Sequence, residues 1–252
     1  MKSKIVVEKK GYVTTIVINR PEVKNALDKE ATAALGQAIT DFESDHEARV
    51  AVLCGAGGAF CSGADLKELS QGIEYDAWAG ADGPLSRPAS KPVIAAVAGH
   101  ACAGGLGVAL WCDLRIAEES ASFAVLSRRW GVPMSDGTTV RLPRLVGMGH
   151  AIDMLLTARI VSAPEALTMG LANRVVPDGT VRAEAEALAE TIAHFPQIAM
   201  LSDRRSTYKQ TDLSLEKALE LEETLAQQAK KIEAQAGASE FASGAGRHGR
   251  LI

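Results

Sequence analysis

The stretch Lys91–Asp113, KPVIAAVAGHACAGGLGVALWCD, constrains this chain more than any other. Residues 92–98 form an apolar, β-branched run bounded by Pro92 and Gly99, the pattern of a short buried strand. Gly104, Gly105 and Gly107 then lead into the apolar run 108–111, the pattern of a buried helix. A glycine-rich turn from strand to helix leaves backbone N–H groups without acceptors at the positive end of a helix dipole. Two readings fit such a turn. It is either a close packing of helix on strand that only glycine permits, or a seat for a phosphate, a carboxylate or a developing oxyanion. The nucleotide motifs fail. Leu110 stands where GxGxxG requires glycine, and no Gly-Lys-Ser/Thr follows. The better functional expectation is an oxyanion site for a carbonyl group.

The rest of the chain limits what surrounds that turn. With 252 residues it can bury a sizeable core. Its formal net charge is −4 and only 4% of residues are aromatic, so nucleic acid is not an expected partner. No apolar run reaches membrane-spanning length, and MKSKIVVEKKG lacks the apolar core of a signal peptide. A cytoplasmic location with no membrane partner is expected. Cys54, Cys61, Cys102 and Cys112 form no CxxC pair. They read as reduced, buried thiols, and no metal site is expected.

Taken in order, residues 4–8 and 12–19 predict a hairpin turning at Lys9-Lys10-Gly11. Asp28 predicts the cap of a helix running to about Ser44. A strand over 50–54, a glycine-rich loop, the run Ala59–Leu66 and a short helix to about Leu69 follow. Residues 70–90 show no period and read as an irregular segment near the site. Beyond the central unit come short strands at 114–117 and 122–125. Residues 128–139 read as loop, with helices at 140–146 and 149–157. Ser162 and Glu165 read as a capping box for a helix closed by Gly170, before an extended exit at 173–176. From Thr180 onward the pattern is helical, ending in a Gly- and Arg-rich tail over 243–250. The expected organisation is an α/β core over 1–177 and a helical part over 178–252 that serves oligomerisation. Leu213, Leu219, Leu221 and Leu225 are candidate contacts there, with packing on the chain's own core as the alternative.

The strand–glycine–helix pattern occurs twice, once around Gly63 and once around Gly104, so two turns can aim two amides at one oxygen. The motifs Asn19-Arg20-Pro21…Asn25-Ala26-Leu27, Ala59–Leu66, Lys91–Asp113, Arg141–Gly147 and Ala166–Val176 follow in register. With them the chain resembles the crotonase superfamily, the enoyl-CoA hydratase/isomerase family. The resemblance implies a spiral of ββα units with a helical C-terminal part, acyl-CoA thioesters as substrates, and a homotrimer or dimer of trimers. Coenzyme A enters as part of the substrate, and no permanently bound cofactor is implied. By the same resemblance, the N–H groups of Ala64 and Gly104 form an oxyanion hole. Ala26, Leu66, Gly105, Ser127 and Arg128 contribute to substrate binding.

The departures from the family pattern are as informative. Hydratases of the family carry one glutamate just after the glycine-rich turn and a second about twenty residues on. Gly107 and Ser127 stand at those positions. Two carboxylates normally share the activation of water and protonation of the α-carbon, and a serine without a base is a poor substitute. The first candidate for proton transfer is Asp136, with helix capping as its alternative role. Arg128 and Arg129 read as anion contacts or as solvated charges. His100 reads as a general acid or a structural histidine, Asp65 as a cap, and Lys67 as a CoA contact or a solvent-facing residue. The expected chemistry is stabilisation of a thioester enolate, in hydration, isomerisation or a related lyase step. The alternative is a non-catalytic acyl-CoA binding protein.

Overall fold

A computed structural model describes residues 3–73 and 83–246, and divides the chain into two compact units, Met1–Ile192 and Ala193–Ile252. In the first unit, β1 (Ile5–Lys10) and β2 (Val13–Ile18) form the expected hairpin, with Ile5 opposite Ile18 and Lys10 opposite Val13. Lys9 and Lys10 extend β1, and the reversal falls on Gly11, which takes φ +56°. β2 is buried along its whole length because β3 (Val50–Gly55) pairs on its other side. Between them, α1 (Lys29–Ser44) buries Ala31, Leu35, Ala38, Ile39 and Phe42, a stripe at helical spacing. Its start is fixed by Asp28, whose carboxylate accepts the Ala31 N–H at 2.7 Å.

The main sheet continues through β4 (Val93–Val97), β6 (Leu114–Glu118) and β9 (Arg174–Val176). Its strand order is β1-β2-β3-β4-β6-β9, parallel after the first hairpin. A second, small sheet holds β5 (His100–Cys102), β7 (Ser122–Ala124) and β8 (Val161–Ser162) in the order β5-β7-β8. The loops after parallel strands all leave from one end of the sheet, which is where α/β folds bind ligands. Segment 19–28 after β2 and segment 56–65 after β3 meet there, with Leu27 bridged to Ala64. Cys61 in turn bridges to Ala101 in β5.

Helix α2 is Leu66–Ser70, capped by Asp65, which accepts the Lys67 N–H at 3.1 Å. α3 (Gly104–Trp111) is buried from Gly105 to Trp111 and starts at Gly104, four residues earlier than the apolar run indicates. α4 (Thr138–Thr157) breaks at Gly147, φ +78°, which gives the two expected helices within one element. α5 (Ala163–Thr168) follows, but the expected capping box does not form. Ser162 makes no side-chain cap, its backbone lies in β8 opposite Ser122, and the Glu165 carboxylate is held by Arg159.

The helical part begins with α6 (Val181–His194), yet most of this helix belongs to the first unit. Glu186 accepts the Thr15 hydroxyl at 2.9 Å, and Arg182 pairs with Glu8 in β1. The compact boundary therefore falls after Ile192 and not after residue 177. In the second unit, α7 (Gln197–Lys209) packs against α8 (Leu215–Ala229), which runs through a π-helical turn at Lys230–Ala234 into α9 (Gln235–Ser243). The Glu233 carboxylate accepts the Ile198 and Ala199 N–H groups, so it caps α7 as well as opposing its dipole. Residues 74–82 of the segment expected to be irregular, and the tail from residue 247, lie outside the described residues.

Candidate active site

Where the strand ends meet, the first unit encloses a cavity of about 370 Å³. Its wall is mostly apolar, with Val23, Ala26, Leu66, Leu126, Val132, Pro133 and Met134 among the lining residues, and Trp130, 70% exposed, at its rim. The polar groups on it are few: Ser62, Asp65, Lys67, Ser127, Ser135 and Asp136, with the backbone of Ala64 and Gly104. A largely apolar cavity with a few convergent polar groups is the usual form of a small-molecule site.

Ala64 and Gly104 come together on the cavity wall for identifiable reasons. Gly63 takes φ +103°, and a Cβ placed on it would lie 2.8 Å from the Gly104 nitrogen. Only glycine lets the turn at 63–64 approach the start of α3 so closely. Ala64 is then locked by its neighbours: Leu27 N–H donates to Gly63 O at 2.7 Å, and Asp65 N–H donates to Leu27 O at 2.9 Å. On the other side, Ala103 is held at φ +48°, ψ −124°, a strained conformation for a residue with a Cβ. It turns the first amide of α3 out of the chain's own bonding. Among the described residues neither the Ala64 nor the Gly104 N–H donates a hydrogen bond. Two donors without acceptors, on one apolar wall, suit an oxygen that gains negative charge during reaction.

Arg20 ties this wall together. Its guanidinium contacts the Asp28 carboxylate at 2.9 Å and the Asp65 carboxylate at 3.1 Å, and donates to Ala26 O. Asn25, at φ +57°, accepts the Arg20 N–H and donates to Ala56 O and Ala59 O. The Asn-Arg-Pro…Asn-Ala-Leu motif is thus the frame behind the Ala64 turn. Sequence reasoning misses this role, because a basic residue before a proline carries no sign of its partners.

Asp136 is 6% exposed, and its side chain lines the cavity. Its Oδ1 accepts the Thr138 N–H at 2.9 Å, so it does cap the start of α4. Its other oxygen, Oδ2, lies against Gly107. Asp136 thus caps the helix start while standing among the residues that line the cavity. Burial pushes the carboxyl group up from the ordinary aspartate value, against the opposing pull of the Thr138 N–H hydrogen bond and the Arg141 charge. Arg141 also holds the loop. It donates to the carbonyl of Asp136 at 3.0 Å and to that of Leu85 at 2.9 Å.

Ser127 reaches the cavity wall, but its hydroxyl donates to the Met134 sulfur at 3.0 Å, and no base adjoins it among the described residues. Ala26, Ala64, Leu66, Gly104, Ser127 and Asp136 are thus brought together. Gly105 and Arg128 are not among the lining residues. Gly105 sits where a Cβ would lie 2.0 Å from Cys61 O, which makes it a close contact of α3 on the 56–65 segment, and Arg128 is exposed. His100 is exposed and hydrogen-bonds Ser122. All four cysteines are free and buried. Burial pushes Cys54 and Cys102 up to about 11 and Cys61 up to about 12, which keeps them neutral thiols. Among the described residues no group of three or more His, Cys, Asp or Glu side chains is arranged to hold a metal ion, and no helix is long and apolar enough to cross a membrane.

A family model described as Enoyl-CoA hydratase/isomerase matches residues 8–244. The chain is 38% identical over 208 residues to the enoyl-CoA hydratase EchA19 of Mycobacterium tuberculosis, covering 79% of this chain and 78% of that one. It is 35% identical over 217 residues to a carnitinyl-CoA dehydratase of Proteus mirabilis, covering 84% of this chain and 83% of that one. The crystal structure of enoyl-CoA hydratase EchA1 from Mycobacterium marinum superposes with a TM-score of 0.90 at 31% identity, over 96% of each chain.

Proposed function

The chain belongs to the enoyl-CoA hydratase/isomerase family, and from that premise we propose that it is an enzyme that stabilises the enolate of an acyl-CoA thioester. The observation that carries this reading is the pair of acceptor-free amides, Ala64 and Gly104, on one wall of an apolar cavity that also holds the buried Asp136. The thioester oxygen accepts both N–H groups, and the acyl chain lies along Leu126, Val132, Pro133 and Met134. The CoA portion leaves past Ala26, Leu66 and Lys67.

A single carboxylate favours proton relocation over hydration. Among the described residues Asp136 is the only carboxylate on the cavity wall besides Asp65, and Asp65 is occupied by Arg20 and by its cap to Lys67. In a 3-enoyl thioester the Asp136 carboxylate removes a proton from C2. The electron pair spreads into a dienolate whose oxygen is held by the two amides. The carboxylic acid so formed returns the proton to C4, and the double bond ends between C2 and C3. One group serves as base and then as acid, so no water need be activated.

The test is a panel of 2-enoyl, 3-enoyl and saturated acyl-CoA thioesters, run beside a binding titration. Conversion of 3-enoyl to 2-enoyl thioester, with little hydration of a short 2-enoyl thioester, supports the reading. Hydration at the rate of an ordinary metabolic enzyme overturns the single-carboxylate assignment, and tight binding without any turnover leaves a binding protein.

We also propose a trimer or dimer of trimers acting in the cytoplasm. Met148, Ile152 and Leu156 stand exposed at a spacing of four on α4, Leu156 at 73%, an apolar row suited to burial between subunits. Sedimentation that reports a stable monomer at micromolar concentration contradicts the assembly.

A further inference from the structure

Position 107 lies three residues beyond Gly104 on α3, so it shares a helix face with the amide that lines the cavity. That face is not empty at 107. A Cβ placed on Gly107 would lie 2.4 Å from Asp136 Oδ2, 2.5 Å from its Cγ and 3.0 Å from its Cβ. Contacts this short, to three successive atoms of one side chain, are not relieved by turning the carboxyl tip. The side chain as a whole would have to shift. It is not free to slide, because Thr138 N–H holds Oδ1 and Arg141 holds the Asp136 carbonyl.

We propose that Gly107 is a positioning residue, and that the space its missing side chain leaves is the seat of the Asp136 carboxyl group. The two positions are mutually exclusive. A side chain enters this spot either from α3 or from the 131–137 loop, and in this chain it enters from the loop. The exclusion itself rests on distances. Only its catalytic consequence rests on Asp136 being the proton-transfer group. The consequence is that the smallest addition to α3 at 107 displaces the carboxyl group by about 1 Å, from 2.4 Å to an ordinary contact. Displacements of that size can cost about 100-fold in rate.

The test is a double-mutant cycle of Gly107→Ala and Asp136→Gly, since glycine at 136 removes all three contacting atoms. Thermal unfolding is measured on the full chain, and Asp136 is titrated by carboxyl-carbon NMR. With Asp136 present, Gly107→Ala lowers the melting temperature by roughly 2–10 °C, the range expected for overpacking. In the Asp136→Gly background, the same change raises it by about 2–4 °C, because alanine is the better helix former and now has room. In Gly107→Ala the Asp136 carboxyl titrates closer to the ordinary aspartate range, as it is pushed towards water. Equal effects of Gly107→Ala in both backgrounds overturn the proposal, as does an unmoved Asp136 titration. If the single variant fails to fold, a folded double variant supports the proposal, and a double variant that also fails assigns the fault to α3 and overturns it. Asp136→Asn separates the two ideas. Full turnover in that variant refutes Asp136 as the base, while the cycle still decides the exclusion.

Discussion

Replacing Asp136 by asparagine and by alanine separates its two tasks. The structure gives the side chain one structural hydrogen bond, Thr138 N–H to Oδ1 at 2.9 Å, and leaves Oδ2 against Gly107. Asparagine keeps an oxygen for Thr138 and nearly the same volume, so Asp136→Asn should fold and bind acyl-CoA normally. It cannot carry a proton, and a general base is worth about 100-fold to 10,000-fold. A 100-fold loss corresponds to ~2.7 kcal/mol at the transition state. Alanine loses the same rate, and also the cap, for a further ~1 kcal/mol of stability. The pH dependence adds a sign. Burial raises the folded-state value above that of the unfolded chain, so the stabilising effect of the neutral acid is present at low pH and lost as pH rises through the raised value. Above that window the wild-type carboxylate opposes folding, and asparagine does not. Asp136→Asn should therefore be at least as stable as wild type at neutral pH and lose ground only as the medium becomes acidic. Urea unfolding across pH, with turnover of a 3-enoyl thioester, measures both. Retained turnover would remove Asp136 as the base, and an Asn variant markedly less stable than wild type at about pH 8 would show that the buried carboxylate does not oppose folding.

Other consequences are as direct. Arg141→Met removes a cation that holds the Asp136 value down, so the acid limb of the pH–rate profile should move to higher pH, and Arg141→Lys should largely restore it. Ala103→Gly relieves the φ +48° conformation and should stabilise the fold by ~1 kcal/mol in urea unfolding, while slowing turnover through a looser Gly104 amide. Destabilisation would show that Ala103 is not strained. The four buried thiols should resist a disulfide reagent at about pH 8 in the native protein and react after denaturation.

The sequence carries the parts of this fold that have a period or a punctuation mark. The β1–β2 hairpin, the Asp28 cap, the break of α4 at Gly147 and the glycine turn ahead of α3 all follow from residue type and spacing. The small sheet does not. Its strands β5 and β8 are three and two residues long, too short for any alternation to register. The Ser162 capping box fails because the competing partners, Arg159 for Glu165 and Ser122 for the backbone, are visible only in three dimensions. The same limit applies at the site. Gly107 and Asp136 are each legible as a departure and a candidate, but nothing in one dimension places a carboxyl group 2.4 Å from a missing Cβ. Arg20 and Arg141, which hold the two halves of the site, stand in motifs of the sequence, but their partners, Asp28 and Asp65 for one and the carbonyls of Asp136 and Leu85 for the other, do not show there.

On the proposed mechanism, two amides and one carboxyl group make the α-carbon of a bound thioester acidic. Exchange of that proton tests it most directly. A saturated acyl-CoA is incubated with the enzyme in deuterated buffer, and loss of the C2 proton signal is followed by NMR. Enzyme-dependent exchange at C2 should occur, and should fall at least about 100-fold in Asp136→Asn while binding persists. Bound thioester with no exchange above the buffer rate, or exchange undiminished in Asp136→Asn, would contradict it.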